Sequence, residues 1–589
     1  MNKFRSHNCG ELSLKNNGDI VHLSGWINKK RDHGGLLFID LRDHYGLTQC
    51  VFDSNIKNFE KIESLKLESV LKVIGKVVKR NEETINKNLP TGEVEILAED
   101  FAVLNQSDQI PFQIAVDDDS PEEQRLKFRY LDLRRDKIHK NIILRSNVIN
   151  RIREKMLSRN FLEIQTPILT ASSPEGARDF LVPSRLNQGK FYALPQAPQI
   201  FKQLLMVSNF DKYFQIAPCF RDEDARADRS PGEFYQLDFE MAFAEQEDVL
   251  SEIEPVIREI FQEFSDKKVS NSPFERIPYQ DSIKNYGTDK PDLRNPLLIN
   301  DLTEFFVNSG FKIFEENVKK GMVIKGIKAP NSADKPRAWF DKLNNWARNL
   351  GQKGLGYIIC LNKEFKGPIA SNIKKENLEK IIEKIGLESG DSVFFISDKK
   401  EEATKFSSLV RTELCNQLDL LDKNSFQFCW IVDYPMYEID EKTKKIVFSH
   451  NPFSMPQGDI QNLDFNNPLK IKAYQYDIVC NGIELSSGAI RNHIPDLMYK
   501  LFSIAGYTKK DVDSEFSGMI NALSYGAPPH GGIAPGIDRI IMLLANEKNI
   551  REVTMFPMNQ NAQDLMMNAP SEVKSDQLKY LNIKVTKKN

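Results

Sequence analysis

The chain has 589 residues, of which 40% are hydrophobic and 28% charged, with a formal net charge of −3 at pH 7. This length exceeds the roughly 250–300 residues that one hydrophobic core supports, so several domains are expected. No apolar run approaches the roughly 18 residues of a membrane span, and the start MNKFRSHNCGELSL lacks the apolar stretch of a secretory signal. We therefore expect a cytoplasmic protein with no membrane partner and, lacking a basic excess, no DNA partner.

Residues 1–105 are predicted to form a small closed β-barrel. Glycine-containing turns separate five predicted strands, at 21–27, 36–42, 47–53, 70–80 and 93–104. Such a barrel is typical of the OB-fold, which often binds single-stranded nucleic acid. Basic and aromatic side chains cluster at one hairpin, a combination that suits stacking of bases from an RNA loop. A solvated barrel edge with buried aromatic residues explains the hairpin equally well when it is considered alone. The clustered side chains are Trp26, Lys29, Lys30, Arg31, His33, Phe38 and Arg42.

Changes in residue composition and hydrophobic pattern along the chain predict the remaining domain limits. A polar, proline-punctuated stretch precedes a helical pattern from about 122 to 159, so a linker or hinge is placed at 106–135. Predicted strands and short helices occur on both sides of a stretch of lysine-rich amphipathic segments. This order indicates an α+β domain that is interrupted by an inserted α+β domain. The limits are 136–287 and 416–562 for the two parts of the host domain, 288–415 for the insertion and 563–589 for a C-terminal extension.

An arginine-rich loop follows the predicted strand YFQIAPC. The stretch FRDEDARADRSPGEFYQLDFE contains Arg221, Asp222 and Glu223 and returns to a second strand near Phe234. Taken alone, such a loop is usually explained by surface salt bridges. A planar guanidinium can, however, bridge two anionic oxygens and so hold two mutually repelling reactants in line.

A glycine-rich stretch, GGIAPGIDR, runs from Gly531 to Arg539 and leads into an apolar helix. Glycine lets a nucleotide approach the backbone closely, and an arginine at a helix start can face bound phosphates. The pattern is weak as a bare string. It gains weight because it follows the arginine-rich loop in the same chain.

These two stretches resemble motifs 2 and 3 of class II aminoacyl-tRNA synthetases, and FLEIQTPIL with Pro167 resembles motif 1. The resemblance covers nearly the whole chain and is to the bacterial type of aspartyl-tRNA synthetase. It implies a multidomain α+β protein with an N-terminal OB-fold barrel for the anticodon, an antiparallel-sheet catalytic core and an inserted domain of the GAD type. It also implies a homodimer, because motif 1 forms the dimer interface in that class.

The resemblance further implies an enzyme that uses ATP to join L-aspartate to tRNA-Asp through an aspartyl-adenylate. The implied catalytic residues are Arg221, Glu223 and Arg539. The implied aspartate-binding residues are Glu175, Gln199, Lys202, Arg221, Asp238, His450 and Arg491. The implied ATP-binding residues are Arg221, Asp222, Glu223, Glu484, Gly536, Ile537, Asp538 and Arg539. Asp477 and Glu484 match paired acids that hold Mg²⁺, which prefers oxygen ligands.

Two alternatives to an aspartate enzyme are an asparaginyl-tRNA synthetase and an inactive RNA-binding paralogue. Lys202 and Arg491 are predicted to place two positive charges in one pocket, which an asparagine side chain would leave uncompensated. This pair and the loop SPEGARD, at 173–179, favour aspartate. The intact catalytic residues disfavour the inactive paralogue.

The choice of tRNA depends on the barrel. His33 lies where non-discriminating aspartyl enzymes carry histidine, which implies that tRNA-Asn is charged as well as tRNA-Asp. The second position associated with relaxed choice is occupied by Glu83, which is larger than the residue expected there. A ligase strictly specific for tRNA-Asp is the alternative.

Overall fold

The computed structural model describes residues 2–116, 119–172, 177–362 and 364–586. The chain divides into two compact units. The smaller comprises Met1–Ile142, Met555–Asn559 and Gln563–Ser571, and the larger comprises Ile143–Thr554, Gln560–Ala562 and Glu572–Asn589. Within the described ranges, no helix combines the length and the apolar character that crossing a membrane requires. The domain limits drawn from the sequence stay predictions.

The N-terminal barrel of the smaller unit is closed, with strand order β1-β2-β3-β5-β4. The parallel pair is β3 with β5, and the other neighbours are antiparallel. The five predicted strands and the OB-fold are confirmed, because alternate residues such as Leu37, Ile39 and Leu41 are buried inside the barrel. The elements are β1 (Ile20–Asp32), β2 (Leu36–Arg42), β3 (Leu47–Asp53), α1 (Phe59–Glu63), β4 (Val70–Lys79) and β5 (Val94–Asn105).

Most of the basic cluster on the barrel is engaged in internal contacts. Lys30 donates to the backbone carbonyls of Glu63 and Leu65. Arg31 forms a bidentate pair with Asp40, at 2.8 and 3.2 Å. Arg42 similarly pairs with Glu68 at 2.7 Å. The sequence therefore overstates how many of these cations are available to RNA.

The predicted long helix over 122–159 is wrong, since three helices occupy that stretch. Phe128 interrupts the first two with non-helical angles (φ −111°, ψ 40°). The carboxylate of Asp132 is fully buried and is surrounded by Arg125, Arg129 and Arg135, and this ion cluster holds the broken segments together. The helices are α2 (Glu122–Lys127), α3 (Arg129–Asp132) and α4 (Asp136–Ser158).

The larger unit contains the remaining helices and strands, which form three groups along the chain. The first group is β6 (Leu162–Glu163), β7 (Leu181–Pro183), β8 (Phe191–Ala193), α5 (Gln199–Val207), β9 (Lys212–Phe220), β10 (Glu233–Ala242), α6 (Gln246–Glu263), β11 (Lys268–Val269), β12 (Glu275–Pro278) and α7 (Tyr279–Tyr286). The second is β13 (Ile299–Asp301), α8 (Lys312–Lys319), β14 (Val323–Ala329), α9 (Arg337–Asn349), β15 (Gly356–Leu361), β16 (Glu364–Lys366), α10 (Lys375–Ile385), β17 (Ser392–Asp398) and α11 (Lys400–Gln417). The third is β18 (Ser425–Phe426), β19 (Phe428–Val432), β20 (Tyr434–Pro435), β21 (Tyr437–Ile439), β22 (Ile446–Phe448), β23 (Lys472–Ala473), β24 (Gln475–Cys480), β25 (Ile483–Ile490), α12 (Pro495–Ile504), α13 (Lys509–Leu523), β26 (His530–Ile533), α14 (Ile537–Leu544) and α15 (Ser575–Tyr580).

The central sheet of this unit has eight described strands, in the order β12-β19-β24-β25-β26-β10-β9-β6. The six inner strands run antiparallel, and the edge strands β12 and β6 each pair parallel with their neighbour. The predicted antiparallel core is therefore confirmed. Helix α6 packs against it with a stripe of buried residues at helical spacing, which includes Val249, Ile253, Val256 and Ile260.

A second, antiparallel sheet occupies the predicted insertion, with strand order β13-β14-β17-β15-β16. Phe394 and Ile396 belong to one hydrophobic cluster, and Val393 and Phe395 belong to another. Because successive strand residues point to opposite faces, apolar residues cover this sheet on both sides. An inserted α+β layer is thus present.

Candidate functional site

A cavity of about 1130 Å³ in the larger unit brings most of the predicted site residues together. The lining contains Gln199, Lys202, Arg221, Glu223, Asp238, His450, Asp477, Glu484, Arg491, Gly536, Asp538 and Arg539. Asp222 and Ile537 do not line it; Ile537 packs fully buried in the main core. Glu175, predicted to bind aspartate, lies outside the described residues.

Four buried charged residues form the most enclosed part of this site. Lys202 Nζ lies 2.8 Å from Asp238 Oδ2 and 3.4 Å from Glu240 Oε2. Arg491 holds Glu240 through two hydrogen bonds, Nε to Oε1 at 2.7 Å and Nη2 to Oε2 at 3.2 Å. None of the four side chains is more than 3% exposed. We call Lys202, Asp238, Glu240 and Arg491 the charge quartet.

Glu240 corrects the charge argument made from the sequence. The sequence predicted an excess of positive charge from Lys202 and Arg491 in a pocket that also contains Asp238. Glu240 adds a second carboxylate, so the two cations are balanced before any ligand binds. Burial by itself would raise the pKa of Glu240, yet Arg491 and Lys202 outweigh burial and hold that pKa below its ordinary value. Burial raises the pKa of Asp238 although Lys202 opposes it. An excess of positive charge therefore does not distinguish aspartate from asparagine here.

Glycine at position 532 makes room for the quartet. Gly532 pairs with Glu240 across β26 and β10. A Cβ atom at this position would lie 2.1 Å from the Phe239 carbonyl oxygen and 2.3 Å from Glu240 Oε2. The Gly532 carbonyl also accepts a hydrogen bond from Arg491 at 3.4 Å. Only glycine fits where β26 passes this close to the carboxylate.

Several buried polar atoms on cavity-lining residues have no hydrogen-bond partner in the described part of the chain. Two are donors, Gln199 Nε2 and Arg221 Nε, and two are acceptors, Asp238 Oδ1 and Gln475 Oε1. Buried polar groups are nearly always paired, so unpaired atoms in a cavity indicate a polar ligand. The arrangement suits a ligand that carries both a cationic donor and an anionic acceptor.

The loop between β9 and β10 presents Arg221 to the cavity. Its guanidinium stacks over the Phe234 ring at 5.0 Å, and its backbone N–H donates to the Gly232 carbonyl at 3.0 Å. These contacts fix the backbone of Arg221 and the position of its guanidinium. Glu223, two residues further, forms an ion pair with Arg229 in the same loop.

Arg539, at the start of α14, contacts strand β25 and the loop between β9 and β10. Its Nη1 donates to the Glu484 carbonyl at 2.6 Å and lies 3.7 Å from Glu484 Oε1. Its Nη2 lies 3.4 Å from Asp228 Oδ2, in the loop that carries Arg221. The guanidinium is about a quarter exposed, so it is both fixed and open to a ligand.

Asp538 has different neighbours from Arg539. One carboxylate oxygen pairs with Arg145 of α4, and the other accepts from the Tyr235 backbone N–H at 3.0 Å. Both oxygens are thus used to join α14 to α4 and β10. This geometry favours positioning of the adjacent arginine over direct contact with a nucleotide.

Asp477 and Glu484 form an acidic pair on neighbouring strands β24 and β25, in which Asp477 is buried and the Glu484 side chain is about a quarter exposed. The Tyr434 hydroxyl donates to Asp477 Oδ2 at 2.8 Å. Burial, reinforced by the charge of Glu484, raises the pKa of Asp477 to about 8. Lys290 Nζ lies 3.0 Å from Glu484 Oε2, and the pKa of Glu484 is lowered because Lys290 and Arg539 outweigh its burial.

His450 lies in the cavity wall close to this acidic pair. Its ring meets that of Tyr434 edge-on, with centroids 4.6 Å apart. Desolvation by the surrounding cavity wall lowers the pKa of His450, although Asp289 and Glu484 oppose that shift. A neutral imidazole is therefore favoured before any ligand binds.

The two residues predicted to govern tRNA choice lie in the barrel. His33 is exposed in the turn between β1 and β2, where Gly34 and Gly35 have φ of 63° and 104°. Its ring contacts Phe38 edge-on at 5.4 Å. Glu83 is exposed in a short 3-10 turn between β4 and β5.

Three residues of the site were not predicted from the sequence. Glu240 had a signal, because Asp238 and Glu240 are two apart on one strand and so share a face. Gln475 had none, since a lone glutamine in an apolar strand carries no pattern. Lys290 was assigned to the inserted domain, and only the fold brings it to Glu484.

The antiparallel sheet, the arginine loop between two strands and the arginine at the start of α14 point to the class II aminoacyl-tRNA synthetases, as the motifs predict. A family model described as tRNA synthetases class II (D, K and N) matches residues 121–560. A second, described as OB-fold nucleic acid binding domain, matches residues 21–104. The chain belongs to the class II tRNA synthetases of the D, K and N family.

Relatives extend this similarity over the full chain. A protein of Pelagibacter ubique (strain HTCC1062), named Aspartate--tRNA(Asp/Asn) ligase, is 63% identical over 588 residues, covering 99% of each chain. One of Zymomonas mobilis with the same name is 59% identical, covering 100% of this chain and 99% of the relative. The solved asparaginyl-tRNA synthetase of Pyrococcus horikoshii, complexed with asparaginyl-adenylate, shares the fold at a TM-score of 0.57 and 19% identity, covering 94% of this chain and 97% of that one.

Proposed function

We propose that the protein is an ATP-dependent ligase that joins L-aspartate to tRNA-Asp and also to tRNA-Asn. The observation that carries this proposal is the set of unpaired buried donors and acceptors on residues that line the cavity. An amino acid supplies the matching ammonium and carboxylates. The relatives named for aspartate and for both tRNAs support the choice of substrates.

Aspartate recognition is proposed to depend on donor and acceptor types. Asp238 Oδ1 accepts from the substrate ammonium, while Lys202 and Arg491 donate to the side-chain carboxylate. None of the described residues accepts a hydrogen bond from Arg491 Nη1, so it remains available to the substrate. Because lysine and arginine only donate, an asparagine side chain would turn its NH₂ group towards further donors. This mismatch of donors, rather than the net charge of the pocket, is our proposed reason why the site selects aspartate over asparagine.

Activation is proposed to occur by direct attack of the aspartate α-carboxylate on the α-phosphorus of ATP. Arg221 contacts the carboxylate and the α-phosphate together, and Arg539 contacts the departing pyrophosphate. The bond between the α-phosphorus and the bridging oxygen breaks as the acyl–phosphate bond forms. Positioning and electrostatic stabilisation suffice, so no protein nucleophile is needed. Glu223 is assigned to the adenine amino group, which requires it to exchange its partner Arg229.

Asp477 and Glu484 are proposed to hold Mg²⁺ with the nucleotide. They fit the ion, because carboxylate oxygens are its preferred ligands and these two carboxylates lie on paired strands and line the same cavity. When bound, Mg²⁺ neutralises phosphate charge. His450 completes this wall of the site as a neutral donor to the substrate.

Transfer to tRNA is the second half-reaction. The 3′-hydroxyl of the terminal ribose attacks the adenylate carbonyl, as the resemblance implies, while the barrel binds the anticodon and His33 accepts either tRNA. We also propose a homodimer in the cytoplasm. Exposed apolar side chains near motif 1, namely Leu162, Ile168 and Leu169 at 46–54% exposure, support an interface there.

Aspartate-dependent exchange between ATP and pyrophosphate tests the activation half. Arg221→Ala and Arg539→Ala should abolish exchange in folded protein, and Arg491→Leu should raise the aspartate KM far more than the ATP KM. Exchange at the wild-type rate in either alanine variant would overturn those assignments. Exchange that responds to asparagine rather than aspartate would overturn the choice of amino acid.

Side-by-side charging of purified tRNA-Asp and tRNA-Asn tests the relaxed specificity. We expect aspartate on both tRNAs. Charging of tRNA-Asp alone would establish the strict enzyme instead.

A further inference from the structure

Lys290 is a charged group of the cavity with no role in the proposed reaction. We propose that its ammonium is the resident counter-ion of Glu484, that it competes with the divalent cation when no nucleotide is bound, and that it moves to the triphosphate when ATP binds. This inference rests on the proposed Mg²⁺ site at Asp477 and Glu484. It makes Lys290 a nucleotide-binding residue supplied by the predicted insertion.

The contacts of Glu484 show why a cation and Lys290 compete. Its Oε2 lies 3.0 Å from Lys290 Nζ, and its Oε1 lies 3.7 Å from Arg539 Nη1. Each carboxylate oxygen thus already faces a positive charge. A divalent cation that approached Glu484 would be repelled by both, and one of them must leave to admit it.

Lys290 is the cation that can move. Arg539 is held in addition by Asp228 and by the Glu484 carbonyl, so its guanidinium has several fixed partners. Lys290 has a flexible four-carbon side chain that is 41% exposed and lines the cavity. Its other anionic neighbour is Asp289, whose Oδ2 lies 3.7 Å from Nζ. A triphosphate in the cavity would offer the ammonium more negative charge than these two carboxylates together.

The backbone at Lys290 is fixed, which limits the movement to the side chain. Helix α7 ends at Tyr286 and is capped by Gly287, whose φ is 73°. The Thr288 carbonyl accepts a hydrogen bond from the Ser282 hydroxyl at 2.7 Å. Just beyond, the buried Arg411 of α11 donates to the backbone carbonyls of Asp292, Asn295 and Leu297 at 2.6–2.9 Å. Helix α11 therefore anchors the segment that follows Lys290.

The consequence is that cation and nucleotide enter together. Without ATP, Lys290 keeps Glu484 neutralised and the affinity for a free divalent cation low. With ATP, the triphosphate takes Lys290 and brings its own cation to the vacated carboxylate. This is a positive coupling between two ligands through one side chain.

Binding of Mn²⁺ alone to the full-length, nucleotide-free protein tests the first half, measured by electron paramagnetic resonance. Lys290→Gln should bind Mn²⁺ about fivefold more tightly than wild type, the effect of one partly exposed ion pair. Lys290→Arg keeps the charge and should stay within about twofold. Lys284→Gln removes a charge from an exposed position of α7 and should match wild type.

Binding of a non-hydrolysable ATP analogue in EDTA tests the second half. Lys290→Gln should weaken it about fivefold, whereas Lys284→Gln should not. Unchanged affinity of Lys290→Gln for either Mn²⁺ or the analogue would overturn the inference. Glu484→Gln distinguishes this outcome from failure of the proposed function. Unchanged Mn²⁺ binding in that variant would show that Glu484 does not hold the metal ion.

Discussion

Glu240 and Arg491 form a bidentate ion pair that is completely enclosed by the protein. The carboxylate receives two hydrogen bonds in parallel from one guanidinium, on side chains no more than 3% exposed. Such pairs are the strongest and most directional of charged contacts. The pair orients the arginine that we propose holds the aspartate side chain.

Glu240→Gln should damage both folding and aspartate binding. The neutral amide removes the charge partner of Arg491, leaves Lys202 with Asp238 alone, and turns an NH₂ group towards the two cations. Removing one member of a buried pair costs about 3–5 kcal/mol, and an aspartate KM raised about tenfold or more is expected. Denaturation by urea and pyrophosphate exchange measure the two effects.

Glu263→Gln is the control for that experiment. Glu263 pairs with Arg151 at the surface, where both side chains are about 40% exposed. Such a change should alter the free energy of unfolding by less than about 0.5 kcal/mol. An equal loss of stability in the two variants would contradict a special role for the enclosed pair.

His530 should make stability fall in mild acid. Its Nδ1 donates to the Pro528 carbonyl at 2.8 Å, and burial lowers the pKa of His530, although nearby Glu240 opposes the shift. The unfolded chain therefore takes up a proton below about pH 6.5 while the folded protein does not. Stability is retained above that pH and lost below it, by up to about 1.4 kcal/mol per pH unit.

The measurement compares unfolding free energies at several values between pH 6.5 and 5. His530→Gln should lose less stability than wild type over this range. His33→Gln, which changes an exposed histidine of the barrel, should follow wild type. Parallel curves for wild type and His530→Gln would refute the assignment.

Asp538→Asn should destabilise the protein even without nucleotide. Both oxygens of Asp538 join α14 to its neighbours through Arg145 and the Tyr235 N–H. We expect a loss of about 1–3 kcal/mol and a raised ATP KM, because Arg539 would lose its fixed position. In a double-mutant cycle with Arg145→Gln, the two losses should not add. A nucleotide-free protein of unchanged stability would point to direct ATP contact instead.

His33→Ala should separate the two half-reactions. Loss of a stacking ring costs about 1–3 kcal/mol, so the KM for both tRNAs should rise about fivefold or more. Pyrophosphate exchange should not change, since His33 belongs to the barrel. A change in exchange, or an unaltered tRNA KM, would contradict anticodon contact.

Local pattern predicted those parts of the molecule in which neighbours in sequence decide the structure. The barrel strands follow alternation, so β2 and β3 have the predicted limits. The break at Phe128 was missed because apolar spacing continues through it, while the buried charge of Asp132 decides the backbone. Helical periodicity does not report such long-range compensation of charge.

The same distinction applies to the site. The sequence motifs identified Arg221 and Arg539, because the strands and loops next to these residues in sequence also surround them in the structure. Compensation by Glu240 and the approach of Lys290 depend on how distant segments meet. A single sequence can indicate that such residues are functional, but it does not show which distant residues they contact.

Gly532 sets a limit on how this pocket can be redesigned. Any side chain there would overlap the Phe239 carbonyl oxygen, at 2.1 Å from a Cβ, and Glu240 Oε2, at 2.3 Å, so the carboxylate that holds Arg491 would have to shift. Mutational libraries aimed at a different amino acid should therefore leave this position fixed and vary Gln199 and Gln475. Even alanine at 532, the smallest step away from glycine, would displace the partner of Arg491, so we expect it to weaken binding of aspartate before any new preference is acquired.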